Sequence, residues 1–198
     1  PGIPLGSLRR MTFVTSAPMR PLRSRRSNLA VPGSSTKMID KARGLGADQV
    51  FLDIEDAVAP LAKPDARKNI VAALNEGGWG HTIRSVRVND WTTQWTYADV
   101  VEVVEGAGAN LDAIMLPKVH GRADVEKLDH WLSALEVANG IVEGATPVIV
   151  LITETAEAMF HTGDYKGCPR VVALTWGAED LADAIGAQTN RNADGSFS

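Results

Sequence analysis

The sequence holds one cysteine, Cys168, which excludes an internal disulfide framework and any cysteine-based zinc cluster. No stretch approaches the roughly 18 consecutive apolar residues of a membrane-spanning helix. Neither sign of charge dominates: 20 Lys and Arg stand against 24 Asp and Glu, a formal net charge of −4. The chain as a whole therefore has no pull toward nucleic acid or an anionic membrane, and any anionic ligand must be held by local cations. The glycine-rich phosphate loops GxGxxG and GxxxxGK[ST] are missing. The four histidines, His81, His120, His130 and His161, lack metal or triad spacing and read as surface or packing residues. No basic stripe accompanies Trp91, Trp95 and Trp131, so they read as packing residues rather than platforms for bases. What remains is the expectation of a cytosolic protein acting on a small molecule.

Against these absences stand five apolar runs, each ending in a charged or polar cluster: VFLDIEDAV (50–58), SVRVND (85–90), AIMLPKV (113–119), VIVLITET (148–155) and VVALTWGAED (171–180). A parallel strand buried on both faces reads as such a run, and α/β folds place their chemistry at the carboxyl ends of these strands. SNLAVPG adds a first strand ahead of them. Amphipathic stretches fill the gaps, among them PDARKNIVAALNEGG with Pro64 in its first turn, and GRADVEKLDHWLSALEVANG with Val125, Leu128, Leu132 and Leu135 on one face. Six β units alternating with helices predict a parallel α/β domain. Two architectures share that pattern, an open doubly wound sheet and a (β/α)₈ barrel. The missing nucleotide loop favours a TIM barrel cut after about six βα units, because a full barrel needs about 250 residues. Six arginines precede Arg26 or include it, and the first acid is Asp40. That bias resembles a transit peptide, but a chain without an initiating Met makes residues 1–25 read as disordered or extraneous, with 26–198 the partial barrel domain.

Chemistry is sought at the strand ends. Glu154 and Asp180 are read as ending strands five and six, where both carboxylates can converge on one hard cation; Mg²⁺ takes one or two protein carboxylates and leaves sites for water and substrate oxygens. An isolated acid of this kind is ordinarily a helix cap, and the pairing is what points to a metal. Arg87 lies inside an apolar strand, where an unpaired guanidinium is too costly to bury, so it must face a carboxylate or a substrate. Asp53, Glu55 and Asp56 are its candidate partners, and three acids in four residues are poorly explained by solubility. Glu55 and Asp56 are read as acceptors that orient Arg87 and metal-bound water. Glu179 should point away from Asp180 by strand alternation. Lys37 and Lys41 share a helix face and, with Arg26, are read as a basic patch over the barrel mouth. Lys118 reads as structural or electrostatic.

In this order, RSNLAVPGSSTKM, FLDIEDAV, VRVN, MLPKV, LITETA and WGAEDLADAIG resemble the HpcH/HpaI aldolase and citrate lyase β-subunit superfamily, specifically its CoA-ester lyase branch, from about Arg26 to Gly186. The resemblance implies a TIM barrel and Mg²⁺ on Glu154 and Asp180. It also implies that Arg87 grips the oxo-acid moiety, and that Arg26, Lys37 and Lys41 contact coenzyme A. It departs at Ala30, where an aromatic residue is common, and at Ala158, where glycine is usual. The implied reaction is Mg²⁺-dependent cleavage of a 3-hydroxy-3-carboxyacyl-CoA of malyl, citramalyl or citryl type to an acyl-CoA and an oxo acid. The resemblance further implies a homo-oligomer, trimer or hexamer, with the general acid supplied by a neighbouring subunit's C-terminal segment. Alternatives are a malyl-CoA-type thioesterase, a CoA-independent aldolase, and a non-catalytic subunit that binds an acyl-CoA or acyl carrier.

Overall fold

The computed structural model describes residues 23–189 and 191–196. Six strands carry the fold: β1 (Asn28–Pro32), β2 (Gln49–Asp53), β3 (Ile83–Arg87), β4 (Ala113–Leu116), β5 (Val148–Leu151) and β6 (Val171–Thr175). Between and after them lie α1 (Thr36–Arg43), α2 (Lys63–Glu76), α3 (Thr96–Ala107), α4 (Arg122–Ala138) and α5 (Ala178–Ala184), while a 3₁₀ turn at Glu157–His161 stands between β5 and β6. Among the described residues no helix is long and apolar enough to cross a membrane. Most of the expected N-terminal segment, residues 1–25, lies outside the described residues; of the part that is described, Arg23 pairs with Asp112.

All pairings are parallel and the strand order is the chain order, β1 through β6. That order separates the two candidate architectures. A doubly wound sheet reverses direction at a switch point; here each crossover steps to the same side, so the helices share one face and the strands form an arc of a barrel. Neighbouring helices pack in sequence, α1 on α2, α2 on α3 and α3 on α4.

Two apolar layers follow from strand alternation. The outer layer joins Val50, Leu52, Val86, Ile114, Leu116 and Val150 to Ile70, Leu74, Val100, Val103, Val104, Leu128 and Leu132 of the helices. The inner one is small, built on Ala113, Met115, Ile149 and Leu151 with Phe51 and Ala173 against it. Local signals fix the helix ends: the Ser35 hydroxyl accepts the Met38 N–H at the start of α1, and Lys41 and Arg43 complement its dipole in the last turn. Gly77, at φ 75°, closes α2. Gly33 is required by space: a Cβ there would lie 2.6 Å from Ile70 Cδ1 and 3.0 Å from the Asp53 carbonyl oxygen.

β6 departs from expectation. Its run predicts burial on both faces, yet Val172, Leu174 and Trp176 are 47%, 45% and 62% exposed. They alternate onto the outer face, and among the described residues no helix covers them.

Candidate active site at the strand C-termini

Asp53 and Arg87 are register partners at the last positions of β2 and β3, so their side chains rise side by side at the carboxyl end of the sheet. Arg87 Nε donates to Asp53 Oδ1 at 2.8 Å and Nη2 donates to Oδ2 at 2.7 Å, a bidentate pair. Asp53 also accepts the main-chain N–H groups of Glu55 and Ala57. Burial works against its charge, but Arg87 and these N–H groups hold its carboxyl below the usual value. Arg87 Nη1 lies 2.9 Å from Glu55 Oε2. That contact is an ion pair without an aligned hydrogen bond, and the buried oxygen stays short of a donor. The salt bridge weighed from sequence is thus present, with Asp53 as its main partner.

Lys118 follows β4 and adopts φ 47°, a region side chains rarely enter. The conformation lets one residue serve two strand ends. Its main-chain N–H donates to Glu154 Oε2 at 2.8 Å, while its ammonium lies 2.6 Å from Glu55 Oε1, 2.9 Å from Asp56 Oδ2 and 3.5 Å from Asp180 Oδ1. Burial opposes its charge and these acids overcome that, raising its pKa.

Glu154 is 4% exposed. Its carboxyl is pushed up to about 7, first by burial and then by Glu55 and Asp180, against the Lys118 N–H and Arg87. Glu55, 3% exposed, is likewise pushed up to about 7 by burial, with Arg87 and Lys118 pulling the other way. Gly177 lets the β6–α5 loop press on Glu154, since a Cβ there would sit 2.4 Å from Glu154 Cγ and 2.9 Å from Oε1. The Thr153 hydroxyl fixes that loop by accepting the Gly177 N–H.

A buried polar layer holds the strand ends from behind. Lys63 Nζ, 4% exposed, donates to the Ile54 and Glu55 carbonyls and to Asn89 Oδ1 at 2.7–2.8 Å, above the Trp95 ring. Asn89 in turn donates to Asp99 through its main-chain and side-chain N–H groups, and Asp99 is paired with Arg67.

The structure therefore brings Glu55, Asp56, Arg87, Glu154 and Asp180 to one end of the sheet, with Lys118 among them. Neither proposed ion ligand ends its strand as expected: Glu154 lies three residues past the end of β5 at Leu151, and Asp180 lies in the first turn of α5, past the end of β6. Glu179 does turn away, 73% exposed on its side chain and 3.7 Å from Arg191, but through helical rotation rather than strand alternation.

The basic patch does not assemble. Arg26 precedes β1, at the opposite end of the strands, where its guanidinium is paired with Asp48. Lys37 and Lys41 are exposed on α1, Lys37 in the turn nearest the site and Lys41 one turn further from it. Ala30 pairs in register with Phe51. Ala158 is fully buried with its N–H on the Thr155 hydroxyl. The histidines lie elsewhere, His120 on Glu157 and His161 on Asp164.

Among the described residues no three His, Cys, Asp or Glu side chains form a ready-made metal cage. Two buried or half-buried carboxylates at an acid-rich strand end, one of them resisting ionisation, fit a hard cation that keeps water and ligand oxygens in its shell.

Comparison with known proteins identifies the family. The family model HpcH/HpaI aldolase/citrate lyase matches residues 26–196. An L-malyl-CoA/beta-methylmalyl-CoA lyase of Cereibacter sphaeroides is 39% identical over 173 residues, 87% of this chain and 54% of the relative. A (3S)-malyl-CoA thioesterase of the same species is 36% identical over 163 residues, covering 82% and 52%. The structure of protein CitE from Mycobacterium tuberculosis in complex with magnesium, acetoacetate and coenzyme A superposes with a TM-score of 0.68 at 28% identity, covering 88% of this chain and 57% of that one. The chain spans about half the length of the curated relatives it matches. With its match over residues 26–196, the chain belongs to the HpcH/HpaI aldolase/citrate lyase family.

Proposed function

We propose that the chain carries the ion-binding and oxo-acid-binding half of a Mg²⁺-dependent CoA-ester lyase, which splits a 3-hydroxy-3-carboxyacyl-CoA of malyl, citramalyl or citryl type into an acyl-CoA and an oxo acid. The observation that carries this reading is the gathering of Arg87, Glu154 and Asp180 around Lys118 at the carboxyl ends of the strands.

Glu154 and Asp180 would hold Mg²⁺, which as a Lewis acid would polarise the hydroxyl and carboxylate oxygens of the substrate. Arg87 donates two of its five N–H groups to Asp53, and its Nη1 faces Glu55 as an ion pair without an aligned hydrogen bond. The N–H groups left on Nη1 and Nη2 are available to the substrate carboxylate and to the oxygen that gains charge. Asp53 and Glu55 keep that fork from turning, so the stabilisation is in place before the bond breaks. In the cleavage the hydroxyl would pass its proton to a carboxylate of the cluster, for which Glu55, with one oxygen short of a donor, is the candidate, and its oxygen becomes the carbonyl of the oxo acid. The electron pair of the broken carbon–carbon bond goes to the acyl-CoA enolate, which then takes a proton at carbon. The donor of that proton is assigned to a neighbouring subunit of a cytoplasmic homo-oligomer, and Lys37 is the best-placed of the three basic candidates for coenzyme A.

A thioesterase reading is kept because a (3S)-malyl-CoA thioesterase is also among the relatives. Incubating the full-length protein with malyl-CoA and Mg²⁺ decides between them. A lyase releases glyoxylate and acetyl-CoA, and a thioesterase releases malate and CoA. Tight binding with neither product would leave the non-catalytic subunit as the answer.

A further inference from the structure

We propose that the Lys118 ammonium is the resident counter-ion of the acid cluster, a tethered cation that holds the acids together without metal and sets how tightly a divalent ion binds. The inference rests on the reading that Glu154 and Asp180 hold such an ion. Arg87 is committed to Asp53 and Glu55, which leaves Lys118 as the cation in contact with Asp56 and Asp180. Its left-handed backbone fixes its N–H on Glu154 while the side chain reaches across to residues more than 60 positions away in sequence. One residue thus touches both proposed ion ligands.

An ion arriving at Asp180 meets an ammonium 3.5 Å from that carboxylate, and two cations on one acid repel. The Asp180 contact is the longest of the three, so it yields first. Asp56, whose side chain is 58% exposed, then keeps the ammonium at the rim. The charge that steadies the acids without a metal is therefore the charge that weakens the ion's hold.

This gives a signature that a merely structural lysine does not share: Lys118→Met should lower stability without metal yet tighten divalent binding. The test titrates Mn²⁺ and Mg²⁺ calorimetrically into full-length wild type and K118M without substrate, with thermal unfolding of both in chelator. The expected result is about tenfold tighter binding in K118M, the change that about 1.4 kcal/mol of relieved repulsion produces, together with a lower metal-free midpoint. Equal or weaker binding in a folded K118M overturns the proposal. Wild-type protein that binds no divalent ion overturns both this and the metal reading, and so separates the two failures. Should K118M not fold, pulsed amine acetylation of wild type, read by mass spectrometry against the exposed Lys68, decides instead. Labelling of Lys118 should rise on adding Mg²⁺, and unchanged or reduced labelling refutes the displacement.

Discussion

Replacing Glu154 by glutamine should make the metal-free protein more stable at alkaline pH while removing its hold on the ion. The carboxyl is pushed from 4.5 to about 7 by burial and by Glu55 and Asp180. Between those values the folded state keeps a proton that the unfolded state has lost, so this group makes stability fall as pH rises from 4.5 to about 7, after which the loss is constant. The displacement is worth about 3 kcal/mol, and sharing it with Glu55, which is raised in the same way, leaves about 2 kcal/mol to Glu154 alone. Glutamine carries no charge to desolvate, and its carbonyl can still accept the Lys118 N–H. Urea unfolding in chelator should therefore show Glu154→Gln more stable than wild type by about 2 kcal/mol at pH 8 and nearly equal to it at pH 4. Saturating Mg²⁺ should reverse the order, because only wild type gains the binding free energy. A variant less stable than wild type at pH 8 without metal, or a difference that ignores pH, would refute the reasoning.

Three further outcomes follow from the same geometry. Arg87→Lys keeps the charge but loses the planar fork on Asp53; turnover should drop at least about a hundredfold, with about 2–4 kcal/mol of stability lost, checked by steady-state kinetics and denaturant melts. Gly177→Ala strains no backbone, since φ there is −123°, but its Cβ meets Glu154; calorimetry should show ion binding weakened about tenfold or more, with less than about 2 kcal/mol of stability lost. Lys63→Met leaves the Glu55 carbonyl and Asn89 Oδ1 without their donor and the Ile54 carbonyl with Asn89 Nδ2 alone, a cost of about 2–4 kcal/mol in chemical unfolding.

Much of this site was legible in the sequence because strand ends are legible: an apolar run that breaks into LDIED or VRVN places its last charged residue at the carboxyl end of a buried strand. Register then does the rest, setting Arg87 beside Asp53. Asp180 was harder, since WGAED does not reveal that the strand stops at Thr175 and a helix begins at Ala178. Arg26 shows the cost of weighing charge before topology: a residue ahead of a strand lies at its amino end, away from the chemistry. Lys63 was out of reach, because its partners come from other strand ends; Lys118 was legible as structural or electrostatic, as its ion pairs show, but which acids it meets depends on a backbone conformation no residue type announces. Asp99 left a faint trace, an acid among the apolar positions of α3 whose burial demands partners such as Arg67 and Asn89. The open face of β6 was invisible, as an apolar run looks the same whether or not a helix covers it.

Anomalous diffraction from crystals of the full-length protein soaked in Mn²⁺ tests the metal reading most directly. A single strong peak within about 2.5 Å of carboxylate oxygens from both Glu154 and Asp180 is expected, at the same strand ends as Arg87. No peak there, or a peak held by other residues, would contradict it.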